Sequence, residues 1–182
     1  YPPGKFEQKH LPMFTLIHGG PADADGNHFE ADWYDWAALA ASNGWLVFRP
    51  NYRGSTGYGD KFLMQIVPVI VSRPGKDILE GIDALVKDGI ADPDHLTVGG
   101  YSYGGYMTNW GITQTTRFRS AIPSWGISNL LSHGYLIWAQ DYTKVEWGGR
   151  HAWQDDVAKR MWERSALAYV TRVKTPTMFI HG

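Results

Sequence analysis

The sequence predicts an α/β fold, a mostly parallel, doubly wound sheet with helices on both faces. Three observations carry that prediction. Short apolar runs alternate along the chain with segments of helical period. Several of these runs, such as Trp45-Leu-Val-Phe48, are apolar without period-two alternation, the pattern of strands buried on both faces. Glycine-rich or polar turns follow the strands, which is where sites in such sheets lie.

With 182 residues the chain is long enough for one sizeable core, and a single domain is expected. Seventeen basic against eighteen acidic residues give a net charge of −1, which argues against a nucleic-acid or anionic-membrane surface. No apolar run approaches the length of a membrane span. The absence of cysteine excludes a disulfide framework and a thiolate metal site but fixes no compartment. Localisation and oligomeric state are left open. The chain begins Tyr1-Pro-Pro-Gly and ends in Pro176-Thr-Met-Phe-Ile-His-Gly182, a strand pattern that stops where a loop should start. Both ends read as cuts from something longer.

Leu11 to Ile17 reads as the first strand and runs into His18-Gly19-Gly20-Pro21, a glycine pair that leaves backbone N–H groups unshielded. Asp32 can cap a helix with Trp33, Trp36 and Leu39/Ala40 on one face, ending at Asn43-Gly44. Trp45 to Phe48 is the second strand. The glycine-rich loop Asn51-Tyr-Arg-Gly-Ser-Thr-Gly-Tyr-Gly59 has neither Gly-Lys-Ser/Thr nor GxGxxG spacing, so it is not a phosphate cradle. Gly75 to Lys87 is predicted helical, with Ile78, Ile82, Leu85 and Val86 on its apolar side and Asp88-Gly89 closing it.

Asp92-Pro93-Asp94 supplies a turn, and His95 to Gly100 is strand-like. That strand breaks into Gly99-Gly-Tyr-Ser-Tyr-Gly-Gly-Tyr-Met107. The pattern GxSxG is that of a nucleophile elbow, in which a strand ends, a serine sits on a tight strained turn and a helix starts at once. The turn is so sharp that residues two before and two after the serine nearly touch, and Gly100 and Gly104 occupy those positions around Ser102. The bland alternative is a serine that merely caps the helix Tyr103 to Thr113. Arg119 to Ser124 and Pro176 to Ile180 read as further strands, with Asp155 to Arg164 the clearest helix between them. Nine tryptophans, six of them between Trp110 and Trp162, are expected to be mostly core. The segment from Trp125 to Trp153 suits an apolar substrate pocket, with Trp125, Trp138 and Tyr142 as candidates.

His-Gly-Gly-Pro at 18–21, the 51–59 loop, the elbow at 99–107 and Thr175-Pro-Thr-Met-Phe-Ile-His-Gly182 stand in one order. Together they resemble the catalytic domain of the prolyl oligopeptidase family of serine peptidases, in its acylaminoacyl-peptidase and dipeptidyl-peptidase-like branch. The resemblance covers nearly the whole chain and implies an incomplete α/β-hydrolase fold, with residues 1–182 as part of one catalytic domain. It implies hydrolysis of a peptide substrate through an acyl-enzyme on Ser102, with no cofactor. The tetrahedral oxyanion needs fixed backbone donors. Tyr103 N–H, next after the nucleophile, is one candidate, and similarity to the family assigns Gly20 as the other.

The sequence departs from the family at Ser165-Ala166, where Ser-Pro is usual, and at Arg150-His151, where Gly-Gly-x-Pro-Trp is more usual. In this fold the triad runs Ser, Asp, His, and the family places its Asp just beyond His-Gly. The expectation is therefore that acid and base lie beyond Gly182, as a β-propeller lies before Tyr1, and that these 182 residues are inactive alone. His133 and His151 fall in the pocket or lid region, His18 and His181 at strand ends, and no histidine pair has metal-ligand spacing. A carboxylesterase of the same fold and a non-catalytic binding domain are the alternatives.

Overall fold

The computed structural model describes residues 1–29, 36–136, 144–154 and 156–181. Its centre is a four-stranded sheet in the order β2-β1-β3-β4. The strands are β1 (Leu11–Ile17), β2 (Leu46–Phe48), β3 (Ala91–Tyr101) and β4 (Ser120–Ser124), and all three pairings are parallel. Bridges from Ala121 to Thr177 and from Ser124 to Ile180 add the start of a fifth strand beside β4. The expected strand from Pro176 to Ile180 is thus present as two isolated pairings.

Among the described residues the helices include α1 (Ala37–Ser42), α2 (Asp60–Leu63), α3 (Ser72–Lys87), α4 (Tyr103–Gln114), α5 (Leu130–Leu136) and α6 (Val157–Glu163). A 3₁₀ stretch covers Met64–Ile66, and two more, separated by a kink at Tyr169, make up Ala166–Arg172. Because side chains alternate along a strand, Thr97 and Val98 face opposite ways. Val98 and Ile17 line one cavity with Ile78, Met107 and Trp110 of α3 and α4, whereas Thr97 and Phe14 line another with Trp36, Leu39 and Ala40 at α1. Helices therefore lie on both faces, as expected of a parallel sheet. The core sits between the sheet and α3/α4, where Met13, Val98, Ile78, Ile82, Tyr106 and Met107 are buried. Each such side chain contributes on the order of 1.5–3 kcal/mol by leaving water.

Two boundaries and one burial pattern differ from expectation for local reasons. α3 starts at Ser72, before the predicted Gly75, because Pro74 lies in the first turn, where its missing N–H has no helical partner to lose. Asp92-Pro93-Asp94 does not precede β3 but bulges from it. Leu11 pairs with Ala91 while Met13 pairs with Leu96, and Asp94 N–H donates to Asp92 Oδ1 inside the bulge. The tryptophans are mostly not core. Of the seven described, only Trp147 is fully buried, while Trp125, Trp153 and Trp162 are exposed and Trp36, Trp45 and Trp110 half-buried. Among the described residues no helix is long and apolar enough to cross a membrane.

The strand order places the crevice. From β1 the chain goes to β2 on one side and returns through α3 to β3 on the other, so it changes direction between β1 and β3. Sites in open α/β sheets lie outside the carboxyl ends of strands at such a switch point. Here those ends are Ile17 and Gly100, which are paired in register.

Candidate active site

The elbow is built by backbone pressed on backbone. A Cβ on Gly104 would stand 1.9 Å from the carbonyl oxygen of Ile17, and one on Gly100 would stand 2.4 Å from the same atom. Gly100 would also crowd Gly104 at 2.8 Å, which is the steric demand read from the spacing. The next residue, Gly105, lies against the carbonyl of Ser124 and against Gly126. Between these contacts Ser102 is held at φ 57, ψ −115, a conformation that costs a non-glycine residue of order 1–3 kcal/mol. Its N–H donates to Ser124 O at 2.9 Å, and its carbonyl accepts from Tyr106 N at 2.9 Å, starting α4. The Ser102 side chain makes no capping hydrogen bond, so the capping alternative fails.

Two loops close on this turn from the neighbouring strand ends. A Cβ on Gly19 would lie 3.6 Å from that of Ser102, which places the His18-Gly19-Gly20 turn directly beside the serine. Gly20 has φ 109, a backbone conformation that only glycine adopts freely. The 51–59 loop buttresses it. Thr56 N–H donates to Asp23 O, and the Asn51 amide exchanges hydrogen bonds with Asp25 N–H and C=O at 2.8 and 2.9 Å. Arg49 pairs with Asp25, while the Arg53 guanidinium meets both oxygens of Asp77 on α3 at 2.6–2.9 Å. Together these bonds pin the loop to the 23–25 segment at one end and to α3 at the other.

Of the residues singled out in sequence, Ser102, Gly20, Tyr103 and Trp125 thus fall along one edge. Tyr103 buries its ring and donates its hydroxyl to Ile70 O, leaving its N–H at the first turn of α4. Trp125 has φ 53, donates its N–H to Ile180 O, and stays 42% exposed. Its ring lies 6.0 Å from that of Tyr101 and 5.8 Å from that of His181, an aromatic wall beside the elbow. Trp138 and Tyr142 lie outside the described residues.

The sequence reading missed two features. One is the set of partners around His18, whose burial holds it below the usual histidine range. The other is Glu146, whose carboxyl burial pushes up to about 7. A histidine at a strand end and a lone glutamate carry no spacing signal, so neither could have been found by pattern.

A family model described as the prolyl oligopeptidase family matches residues 31–182. The chain belongs to the prolyl oligopeptidase family. Its similarity to an uncharacterised peptidase, YuxL, of Bacillus subtilis is 36% identity over 94% of this chain and 25% of that protein. To the acylamino-acid-releasing enzyme of Arabidopsis thaliana it is 30% over 94% of this chain and 23% of that protein. Among solved structures, the acylaminoacyl peptidase of Pyrococcus horikoshii superposes with a TM-score of 0.84 at 30% identity, covering 96% of this chain and 28% of that one. The chain thus spans about a quarter of the length of the curated relatives it matches. One departure from the family pattern has a clear structural outcome. Ser165 is fully buried, accepts from Leu130 N–H and donates to Met161 O, so Ser165-Ala166 still forms an ordered entry to the Ala166–Arg172 turn.

Proposed function

We propose that residues 1–182 are part of the catalytic domain of a serine peptidase that hydrolyses short peptides through an acyl-enzyme on Ser102. The observation that carries this reading is the strained Ser102 backbone at the β1/β3 switch point, with a hydroxyl not engaged in capping. Attack of Oγ on the peptide carbonyl builds an oxyanion, for which Tyr103 N–H and Gly20 N–H are the donors. Loss of one such donor costs about 3–4 kcal/mol of transition-state stabilisation. Trp125 offers an apolar surface to the substrate side chain. In this fold the acid and base follow the nucleophile in the order Asp, His. Peptides as substrates are supported by the relatives' names, and by a similar acylaminoacyl peptidase solved with Z-Gly-Gly-Phe-chloromethyl ketone, which matches at 31% identity.

The test is turnover of acyl-amino-acid anilides, dipeptidyl anilides and simple acyl esters by the full-length protein and its Ser102→Ala variant. Amide hydrolysis that falls on the order of 10⁶-fold in the variant is expected, by the general behaviour of triads. Hydrolysis of esters alone would make the protein a carboxylesterase instead. Turnover untouched by Ser102→Ala would end the proposal.

A further inference from the structure

His18 stands directly before the glycine pair, and both nitrogens of its imidazole are engaged. Nδ1 lies 2.7 Å from the carbonyl oxygen of Gly19 and 3.0 Å from the Tyr52 hydroxyl. Nε2 lies 2.9 Å from Ser55 Oγ. The partners decide where the proton sits. A carbonyl oxygen can only accept, so Nδ1 must carry the hydrogen. The Tyr52 hydroxyl donates its own hydrogen to the His18 carbonyl at 2.9 Å and therefore faces Nδ1 as an acceptor. Nε2 is then the lone pair of a neutral ring and accepts from Ser55, which is fully buried. Burial of the ring favours the same neutral form.

The carbonyl that Nδ1–H holds belongs to the same planar peptide unit as the Gly20 N–H. That unit is trans, so its C=O and N–H point in opposite directions, and fixing one aims the other. Gly20 has no Cβ to limit its rotation and so needs such an external constraint. We propose that His18 is a positioning residue, which through Nδ1–H and the Gly19 carbonyl aims the Gly20 N–H at the oxyanion, with Ser55 and Tyr52 holding the ring in place. The proposal rests on the reading of Ser102 as nucleophile and of Gly20 as donor. The Tyr52 ring stacks on His18 at 4.4 Å and 15° and lies 5.6 Å from the Tyr103 ring. One aromatic side chain therefore packs against both the His18 ring and the ring of Tyr103, whose N–H is the other proposed donor.

The experiment compares His18→Phe and His18→Asn in the full-length protein. Phenylalanine keeps a ring to stack on Tyr52 but has no donor, whereas asparagine offers an amide N–H near the position of Nδ1. His18→Phe should lower kcat by about 10–100-fold with KM within about twofold, short of the 10²–10³ for outright loss of an oxyanion donor. His18→Asn should recover most of that loss. A kcat for His18→Phe within twofold of wild type, an equal loss in both variants, or a loss confined to KM would overturn the proposal. The imidazole ¹⁵N spectrum supplies a readout independent of turnover and of whether His18→Phe folds. It should show His18 neutral and protonated at Nδ1, and protonation at Nε2 alone would overturn the assignment. If Ser102→Ala keeps full activity, the nucleophile reading fails whatever His18 does. If Ser102→Ala is inactive while His18→Phe is not impaired, only the role of His18 fails.

Discussion

The edge formed by residues 18–20, 51–59 and 99–105 and the stretch from 125 to 172 are held by different forces. At the edge, main chain meets main chain, and the Ile17 carbonyl leaves room at Gly100 and Gly104 for hydrogen alone. In the second region, side chains do the packing. Trp147 is fully buried with the guanidiniums of Arg164 and Arg160 at 5.2 and 5.9 Å from its ring, and Glu146 beside it in sequence is half-buried. Backbone contact admits one residue type, whereas side-chain packing admits many. A substitution should therefore act all-or-none at the edge and by degrees in the second region.

The sharpest break in that contrast is Gly104→Ala. A methyl placed 1.9 Å from a carbonyl oxygen inside a parallel sheet cannot be relieved by a rotamer change, so the strand and helix must part. The expected loss is about 4 kcal/mol or more by urea denaturation, enough to leave much of the protein unfolded. A loss below about 1 kcal/mol would show that β1 and α4 are not locked together.

In the second region the largest effect falls on Glu146, raised by burial from the usual 4.5 to about 7. The folded state then holds a proton that the unfolded state releases between those two values. Stability should fall as pH rises through that window, by about 3 kcal/mol at most, and stay level above pH 7. Glu146→Gln should remove this part of the pH dependence and be the more stable protein at pH 8. An unchanged slope in the variant would mean that the carboxyl is solvated. His18 and His133, both lowered by burial, act oppositely and lose stability as pH falls below the usual 6.5.

A smaller effect separates strain from function at the edge itself. Ser102→Gly should raise stability by about 1 kcal/mol, since glycine adopts φ 57 without penalty, while abolishing turnover. A variant less stable than wild type would show that the serine is not strained.

This division also explains what could be read in advance. β1 is found at Leu11–Ile17 as its apolar run indicates, and α4 follows Ser102 at once because Gly100 and Gly104 leave room for so sharp a turn. The apolar stripe of Ile78 and Ile82 located α3. The tryptophans misled because an aromatic side chain covers an exposed surface as readily as it fills a core, as Trp153 stacked on His151 at 4.4 Å shows. α5 and the Ala166–Arg172 turn had no boundary signal, since Ser165 reaches back to Leu130 across the sequence to fix them. The His18, Tyr52 and Ser55 contacts were hidden for the same reason, being made between two loops that only the parallel register brings together.

The most direct test is to mix the full-length protein with an activated acyl ester, follow the first turnover, and map the acyl group by mass spectrometry. A burst approaching one equivalent with the acyl group on the Ser102 peptide, absent in Ser102→Ala, is the predicted result. A full burst with the acyl group elsewhere, or none with an actively hydrolysing enzyme whose Ser102→Ala variant is equally active, would contradict it.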